Sequence, residues 1–211
     1  MTACPEPGVD RARLFALDAS LRAEADAMLS ASGIGALIAE AGYLPVGSYT
    51  MRTMTWRDLD FVRCVDQMDW ERHWEIGTRL SRTGWVRWIV CSDNFRRAEP
   101  EPSYYWGPRV SDPALGCLPD SDERIWKLDL QTSTTEHLAR GLDLRNRWAA
   151  LMTEEARAEI LALKEVLCHT PEYRREVLSV HIYEAVLEAG VRGLEEFLEW
   201  HRARASVSGR T

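Results

Sequence analysis

Two carboxylates separated by one residue occur at Asp58 and Asp60, within an apolar run that has the composition of a β-strand. In an extended segment the side-chain period of two places both carboxylates on one face, while Leu59 and Phe61 point into the core. Two converging carboxylates repel each other and raise each other's proton affinity unless a divalent cation lies between them. The pair therefore predicts a metal site, and its hard oxygen ligands favour Mg²⁺.

A Gly47-Ser48 pair follows the apolar segment 43–46, which predicts a first strand, and nine residues separate Ser48 from Asp58. Glycine permits close approach of the backbone to a ligand, and Ser48 with the amides after it is expected to bind terminal phosphate oxygens. Mg²⁺ commonly takes its remaining ligands from substrate phosphates. The two motifs together predict a site for a nucleoside triphosphate, although a plain turn and a solvated acidic triplet explain either motif alone.

A third carboxylate, Asp129, lies between two leucines in the strand-like segment 124–130, and Lys127 shares its face by the period of two. Lys127 is expected either to offset the charge of Asp129 or to bind a phosphate, and a solvated strand lysine is the alternative. As a phosphate ligand it joins Gly47 and Ser48 in the candidate nucleotide-binding set. Asp122 and Glu123 are poorer candidates for the third carboxylate because they lie in the preceding polar loop.

The strand, the Gly47-Ser48 turn, the spacer and the acidic pair Asp58 and Asp60 resemble the signature of the nucleotidyltransferase superfamily related to DNA polymerase beta. Families of this kind usually place a third carboxylate on a later neighbouring strand, where this chain has Asp129. The resemblance implies that these three carboxylates are catalytic and hold Mg²⁺, and that Gly47 and Ser48 hold the phosphates.

This resemblance covers residues 39–133 in outline, and the helical remainder is similar in kind to the carboxyl-terminal bundles of aminoglycoside and lincosamide nucleotidyltransferases. It implies transfer of a nucleoside monophosphate, AMP from ATP in the first instance, to a hydroxyl of a small acceptor such as an antibiotic. The acidic surface suits a cationic acceptor. Two alternatives stay open: a toxin-like enzyme acting on protein or tRNA, and a catalytically silent member that binds a nucleotide or a partner.

Other residues near the motif have less specific interpretations. Trp56 lies just before the acidic pair and is expected to flank the nucleotide, whereas Arg52 and Arg57 either meet the triphosphate or remain solvated. The histidines and cysteines lack the spacing of a zinc site, and no P-loop or dinucleotide-binding glycine motif occurs. Zinc hydrolase, P-loop and Rossmann chemistries are therefore disfavoured.

The composition agrees with an ordinary folded chain: of 211 residues, 45% are hydrophobic and 28% charged. A net charge of −7 disfavours nonspecific nucleic-acid binding, which depends on neutralising phosphates. Five widely spaced cysteines without a C-x-x-C pair, no export signal and no apolar run of membrane-spanning length predict a cytoplasmic protein without membrane association.

The patterns predict an α+β fold, with a mixed sheet flanked by helices over residues 1–133, a helical bundle over 134–205 and a flexible tail over 206–211. Strands are predicted by short β-rich runs at residues 43–46, 59–65, 85–91, 104–110 and 124–130. Helices are predicted by apolar periodicity and capping residues at residues 10–32, 69–81, 153–167 and 171–189, with a last one around 194–198.

Overall fold

Five β-strands form one mixed sheet in the computed structural model, which describes residues 10–96, 102–113, 124–173 and 175–208. The strands lie in the order β1-β2-β5-β4-β3, with β2 and β5 parallel and the other neighbours antiparallel. Their bounds are β1 Leu44–Val46, β2 Asp58–Val65, β3 Val86–Asp93, β4 Tyr104–Ser111 and β5 Ile125–Thr134. The predicted α+β class with a mixed sheet is confirmed.

Among the described residues of the amino-terminal part, four α-helices accompany the sheet: α1 Arg11–Ala31, α2 Ile34–Glu40, the short α3 Ser48–Met51 and α4 Trp70–Ser81. Asp10 and Asp69 cap α1 and α4 by accepting hydrogen bonds from backbone N–H groups. The apolar faces of α1, α2 and α4 pack with one face of the sheet into a core that includes Met28, Leu80 and Leu128.

Four more helices follow the last strand: α5 Thr135–Leu151, α6 Glu154–Leu167, α7 Ser179–Leu187 and α8 Gly193–Ser208. They share a second apolar core around Ile160, Ile182 and Phe197, against which Met51 and Trp56 also pack. The segment between α3 and β2 is therefore held by both parts of the chain. No helix within the described residues is both long and apolar enough to cross a bilayer.

The predicted helix at residues 171–189 is wrong in its first half, because residues 171–173 and 175–177 form turns and a short bridge and α7 begins at Ser179. Tyr173 and Val177 both bury their side chains in the second core, and this packing outweighs the helix-start signal of Pro171. Strand β5 continues four residues beyond the predicted end, to Thr134.

Several sequence predictions fall on parts of the chain outside the described residues. Asp122 and Glu123 lie outside them, as do residues 1–9 and 209–211. Helix α8 reaches Ser208, so its backbone extends into the predicted tail.

Gly77 of α4 lies against the indole ring of Trp106, and a Cβ atom at this position would be 2.2 Å from the ring. Trp106 is buried and donates from Nε1 to the carbonyl of His73, so its ring has little room to shift. We therefore expect Gly77→Ala to lower the free energy of unfolding by about 1–3 kcal/mol in urea denaturation, outweighing the gain in helix propensity. Glu75 is exposed on the same helix, so the free energy of unfolding of Glu75→Ala should stay within about 0.5 kcal/mol of the wild-type value. Equal urea midpoints for the two variants would contradict the close packing of Gly77 against Trp106.

Candidate metal centre

The parallel pairing of β2 with β5 brings three carboxylates together. Asp60 lies opposite Asp129, and Asp58 lies opposite Lys127. One oxygen from each of the three aspartates lies within 4.8 Å of the others. Leu59, between the two aspartates of β2, points to the opposite face and is buried in the core. The alternation predicted from the sequence thus produces the expected cluster on one face of the sheet.

Lys127 lies inside this cluster. Its Nζ is 3.1 Å from Asp58 Oδ1 and 2.5 Å from Asp129 Oδ2. Burial acts against the ammonium form, but the two carboxylates prevail and raise the pKa of Lys127 above its ordinary value. One ammonium faces three carboxylates, so acidic charge remains available to a cation when all three are ionised. Lys127 thus offsets the charge of Asp129, which is one of the two roles predicted for it from the sequence.

Two aromatic side chains orient the outer carboxylates. Tyr105 of β4 donates from its hydroxyl to Asp129 Oδ1 at 2.8 Å, and Trp56 donates from Nε1 to Asp58 Oδ2 at 3.1 Å. Burial, followed by the charge of Asp129, raises the pKa of Tyr105, so its hydroxyl remains a donor at neutral pH. Sequence analysis did not identify Tyr105, because only the pairing of β4 with β5 brings this residue to the cluster.

Asp60 differs from its two neighbours, since no side chain among the described residues donates a hydrogen bond to it. Burial, and then the charges of Asp58 and Asp129, raise the pKa of Asp60 to about 6. Lys127 and Lys164 oppose this shift only in part. Asp60 is therefore the carboxylate of the cluster whose charge is least compensated within the protein.

The predicted glycine turn lies directly against Asp60. Gly47 has φ 69° and ψ −146°, and a Cβ atom there would be 2.5 Å from Asp60 Oδ2. Both its backbone conformation and its closeness to the carboxylate thus require glycine. Ser48 begins α3, and the carbonyl of Gly47 accepts hydrogen bonds from Met51 N and Thr50 Oγ1. The turn is placed where the motif predicts, and phosphate binding by Ser48 stays a prediction.

The segment from Arg52 to Arg57, which joins this turn to Asp58, is anchored by buried polar groups of the helices. Asp18 of α1 accepts from Met54 N at 2.9 Å, and Tyr183 of α7 shares a 2.5 Å hydrogen bond with Thr53 Oγ1. Arg157 donates to the carbonyl of Arg52, and Arg57 pairs with Glu24 at 2.6 Å. Arg57 is therefore engaged in an ion pair with Glu24, a state that differs from both of its predictions.

Lys164 of α6 is the strongest site feature that sequence analysis missed. Its side chain is 1% exposed, its Nζ donates to the carbonyl of Thr53 at 2.7 Å, and it lies 4.8 Å from the ring centroid of Trp56. Burial lowers the pKa of Lys164 to about 8, and the charges of Asp60 and Asp58 limit the shift. A lysine four residues after Ile160 in the apolar stripe of α6 is the signal that could have identified it.

A cleft of about 590 Å³ opens beside Asp60. Its lining includes Gly47, Asp60 and Gln131 as well as apolar and aromatic residues, namely Leu144, Trp148, Leu178, Val180 and Tyr183. A smaller cavity of about 240 Å³ is lined by both Asp60 and Asp129. The carboxylate cluster therefore faces a space of the size that small-molecule ligands occupy.

No model of a known protein family matches this chain, and a search of curated proteins finds no match either.

The raised pKa of Asp60 predicts a pH-dependent response to Mg²⁺. Without metal, the folded state favours the protonated form of the Asp60 carboxyl. The stability that this proton contributes is fully present below the ordinary pKa of 3.8 and is lost as pH rises through about 6. A metal ion needs the ionised form, so Mg²⁺ affinity should fall about tenfold per pH unit below pH 6. Thermal melts in MgCl₂ and in EDTA should show stabilisation by Mg²⁺ at pH 7.5 that is largely absent at pH 5.

Two variants sharpen this measurement. Asp60→Asn should abolish the Mg²⁺-dependent shift at both pH values, whereas Asp66→Asn, at an exposed residue just after β2, should retain it. An equal Mg²⁺ shift at pH 5 and pH 7.5 in the wild-type protein would show that Asp60 is not a ligand.

The two lysines offer a direct test of the electrostatics, because Lys127 and Lys164 are the only lysines in the chain. Lysine labelled with ¹³C should give two Cε signals, assigned with Lys127→Arg and Lys164→Arg. The Lys164 signal is expected to titrate near pH 8, and the Lys127 signal above its ordinary range. A Lys164 titration above pH 10 would mean that its ammonium is solvated.

Proposed function

We propose that the chain has a nucleotidyltransferase-like fold and transfers a nucleoside monophosphate, AMP from ATP in the first instance, to a hydroxyl of a small acceptor. The observation that carries the proposal is the cluster of Asp58, Asp60 and Asp129 oxygens within 4.8 Å of one another, with the Gly47 turn packed against Asp60. A strand, a glycine turn and converging carboxylates are also the parts that the sequence resemblance contains.

The donor set fits Mg²⁺. Carboxylate oxygens are the hard ligands that this ion prefers, and Lys127 and Lys164 compensate the charge of Asp60 only in part. Asp58 and Asp60 would hold the ion, with Asp129 completing the site or accepting the proton of the attacking hydroxyl. When bound, Mg²⁺ supplies orientation of the triphosphate and neutralisation of its charge.

The protein's own groups then have separate tasks. Trp56 and Tyr105 keep Asp58 and Asp129 in fixed orientations through their hydrogen bonds. Gly47 leaves the turn open for phosphate oxygens beside Asp60, which a side chain at this position would obstruct. Lys127 is within reach of both outer carboxylates and is available to a phosphate when a metal ion takes over the neutralisation of Asp58 and Asp129.

The dimensions of the cleft favour a small acceptor over protein or tRNA. A volume of about 590 Å³ lies within the range of small-molecule sites, and the net charge of −7 opposes binding of tRNA. Asp60 is the one acidic residue among the described residues that line the cleft, whereas Trp148 and Tyr183 give it an aromatic wall. We therefore favour a hydroxylated acceptor, such as an antibiotic, with an apolar face.

Nucleotidyl transfer can be tested with α-labelled ATP, MgCl₂ and a panel of hydroxylated antibiotics and metabolites, by following labelled product and pyrophosphate release. Wild type should form both in equal amounts, and Asp60→Asn and Asp129→Asn should reduce the rate on the order of 10²-fold or more, as expected when an electrostatic partner of the transition state is lost. Asp66→Asn serves as the exposed control with the same chemical change.

Binding can be separated from turnover by thermal melts with Mg-ATP, which need no acceptor. Stabilisation of wild type but not of Asp60→Asn, without transfer to any acceptor, would favour the catalytically silent alternative. No stabilisation of wild type by any Mg-nucleoside triphosphate would contradict the proposed function.

A further inference from the structure

Arg145 of α5 has a buried guanidinium nitrogen, Nη1, that finds no hydrogen-bond partner among the described residues. A guanidinium carries five N–H donors and no acceptor, so only a group that accepts hydrogen bonds can satisfy Nη1. A buried charged donor without a partner is costly, and native proteins seldom retain one without a reason. The unsatisfied nitrogen therefore points to a ligand that accepts hydrogen bonds.

The sequence of α5 explains why Arg145 faces the metal centre. Leu138, Leu142 and Arg145 follow one another at intervals of four and three residues, so they share one face of the helix. Leu138 and Leu142 pack against Val46 and Val62 of β1 and β2. Val62 lies two residues after Asp60 and on the same face of β2, so this packing directs Arg145 to the face that carries the carboxylates.

Three cavities meet at Arg145. It lines the main cleft together with Gly47 and Asp60, and the smaller cavity together with Asp60 and Asp129. A third cavity, of about 270 Å³, places it beside Gly47 and Thr50 at the glycine turn. Arg145 thus lines the cavities that adjoin both the carboxylates and the turn.

We propose that Arg145 binds phosphate oxygens of the nucleotide beside the Gly47 turn, in the part that leaves as pyrophosphate. The inference rests on the proposed function and adds a cationic ligand from the helical part of the chain. A planar guanidinium matches phosphate oxygens in a two-pronged arrangement, and hydrogen bonds between charged groups are the stronger kind. Phosphate at this place would satisfy Nη1, and the nearby carboxylates would be screened from the phosphate by the metal ion.

Isothermal titration with sodium pyrophosphate and with ATP, each with and without MgCl₂, tests the assignment. Arg145→Gln should weaken binding of both ligands in MgCl₂ by roughly 10- to 100-fold, the scale of a charge-assisted hydrogen bond, and Arg145→Lys should recover part of the loss. Arg147→Gln is the matched control, because Arg147 lies on the same helix, is exposed and pairs with Glu188 at 3.2 Å. It should bind as wild type does.

A structural contribution of Arg145 is distinguished by melting without ligand. Because Nη1 has no partner in the protein, Arg145→Gln should melt within about 2 °C of wild type, while its stabilisation by pyrophosphate is lost. If Arg145→Gln does not fold, Arg145→Lys supplies the comparison; wild-type affinity in that variant would overturn the two-pronged phosphate contact.

The remaining outcomes separate this inference from the proposed function. Equal affinities of wild type and Arg145→Gln for pyrophosphate and ATP would overturn the assignment of Arg145 and leave the metal site standing. Binding that depends on Arg145 but neither on MgCl₂ nor on Asp60 would support the anion site and contradict the Mg²⁺-dependent function. No binding of either ligand by wild type would overturn both.

Discussion

The register between β2 and β5 is the constraint on which the candidate site depends. It places Asp60 opposite Asp129 and Asp58 opposite Lys127, and a slip of one residue would turn one strand's charged side chains into the core. On the opposite face, Leu59 and Leu128 are buried, so the hydrophobic effect opposes such a slip. The force that stabilises the core thereby also sets the geometry of the carboxylates.

Charge compensation around this register is incomplete and unevenly distributed. Of the 26 lysines and arginines in the chain, only Lys127 and Lys164 are lysines, and both contribute to the electrostatics of the acidic cluster. Lys127 bonds Asp58 and Asp129 directly, whereas Lys164 bonds a backbone carbonyl and influences Asp60 without touching it. Asp60 keeps a raised pKa as a result. The single ammonium of Lys127 therefore reduces the repulsion among the three carboxylates without neutralising all of them.

Local patterns predicted the features that depend on one or two neighbouring elements. The alternation around Asp58 and Asp60, the Thr153 helix cap and the strand carrying Asp129 each depend on a short stretch of sequence, and the structure contains all three. The Pro171 helix start failed because Tyr173 and Val177 are buried in a core formed by distant helices. Lys164 and Arg145 were not predicted from the sequence for the same reason. Each lies more than 80 residues from Asp60 in the sequence and is brought near it only by tertiary packing.

The helical part of the chain consequently does more than cover the sheet. Lys164 and Tyr183 hold Thr53, in the segment between the glycine turn and Asp58, while α5 packs on β2 and brings Arg145 to the same cleft. Movement of these helices relative to the sheet would alter the position of the turn and of Arg145 together. Because the two cores meet at the segment that joins the turn to the carboxylates, the geometry of the metal centre and the stability of the helical part are coupled.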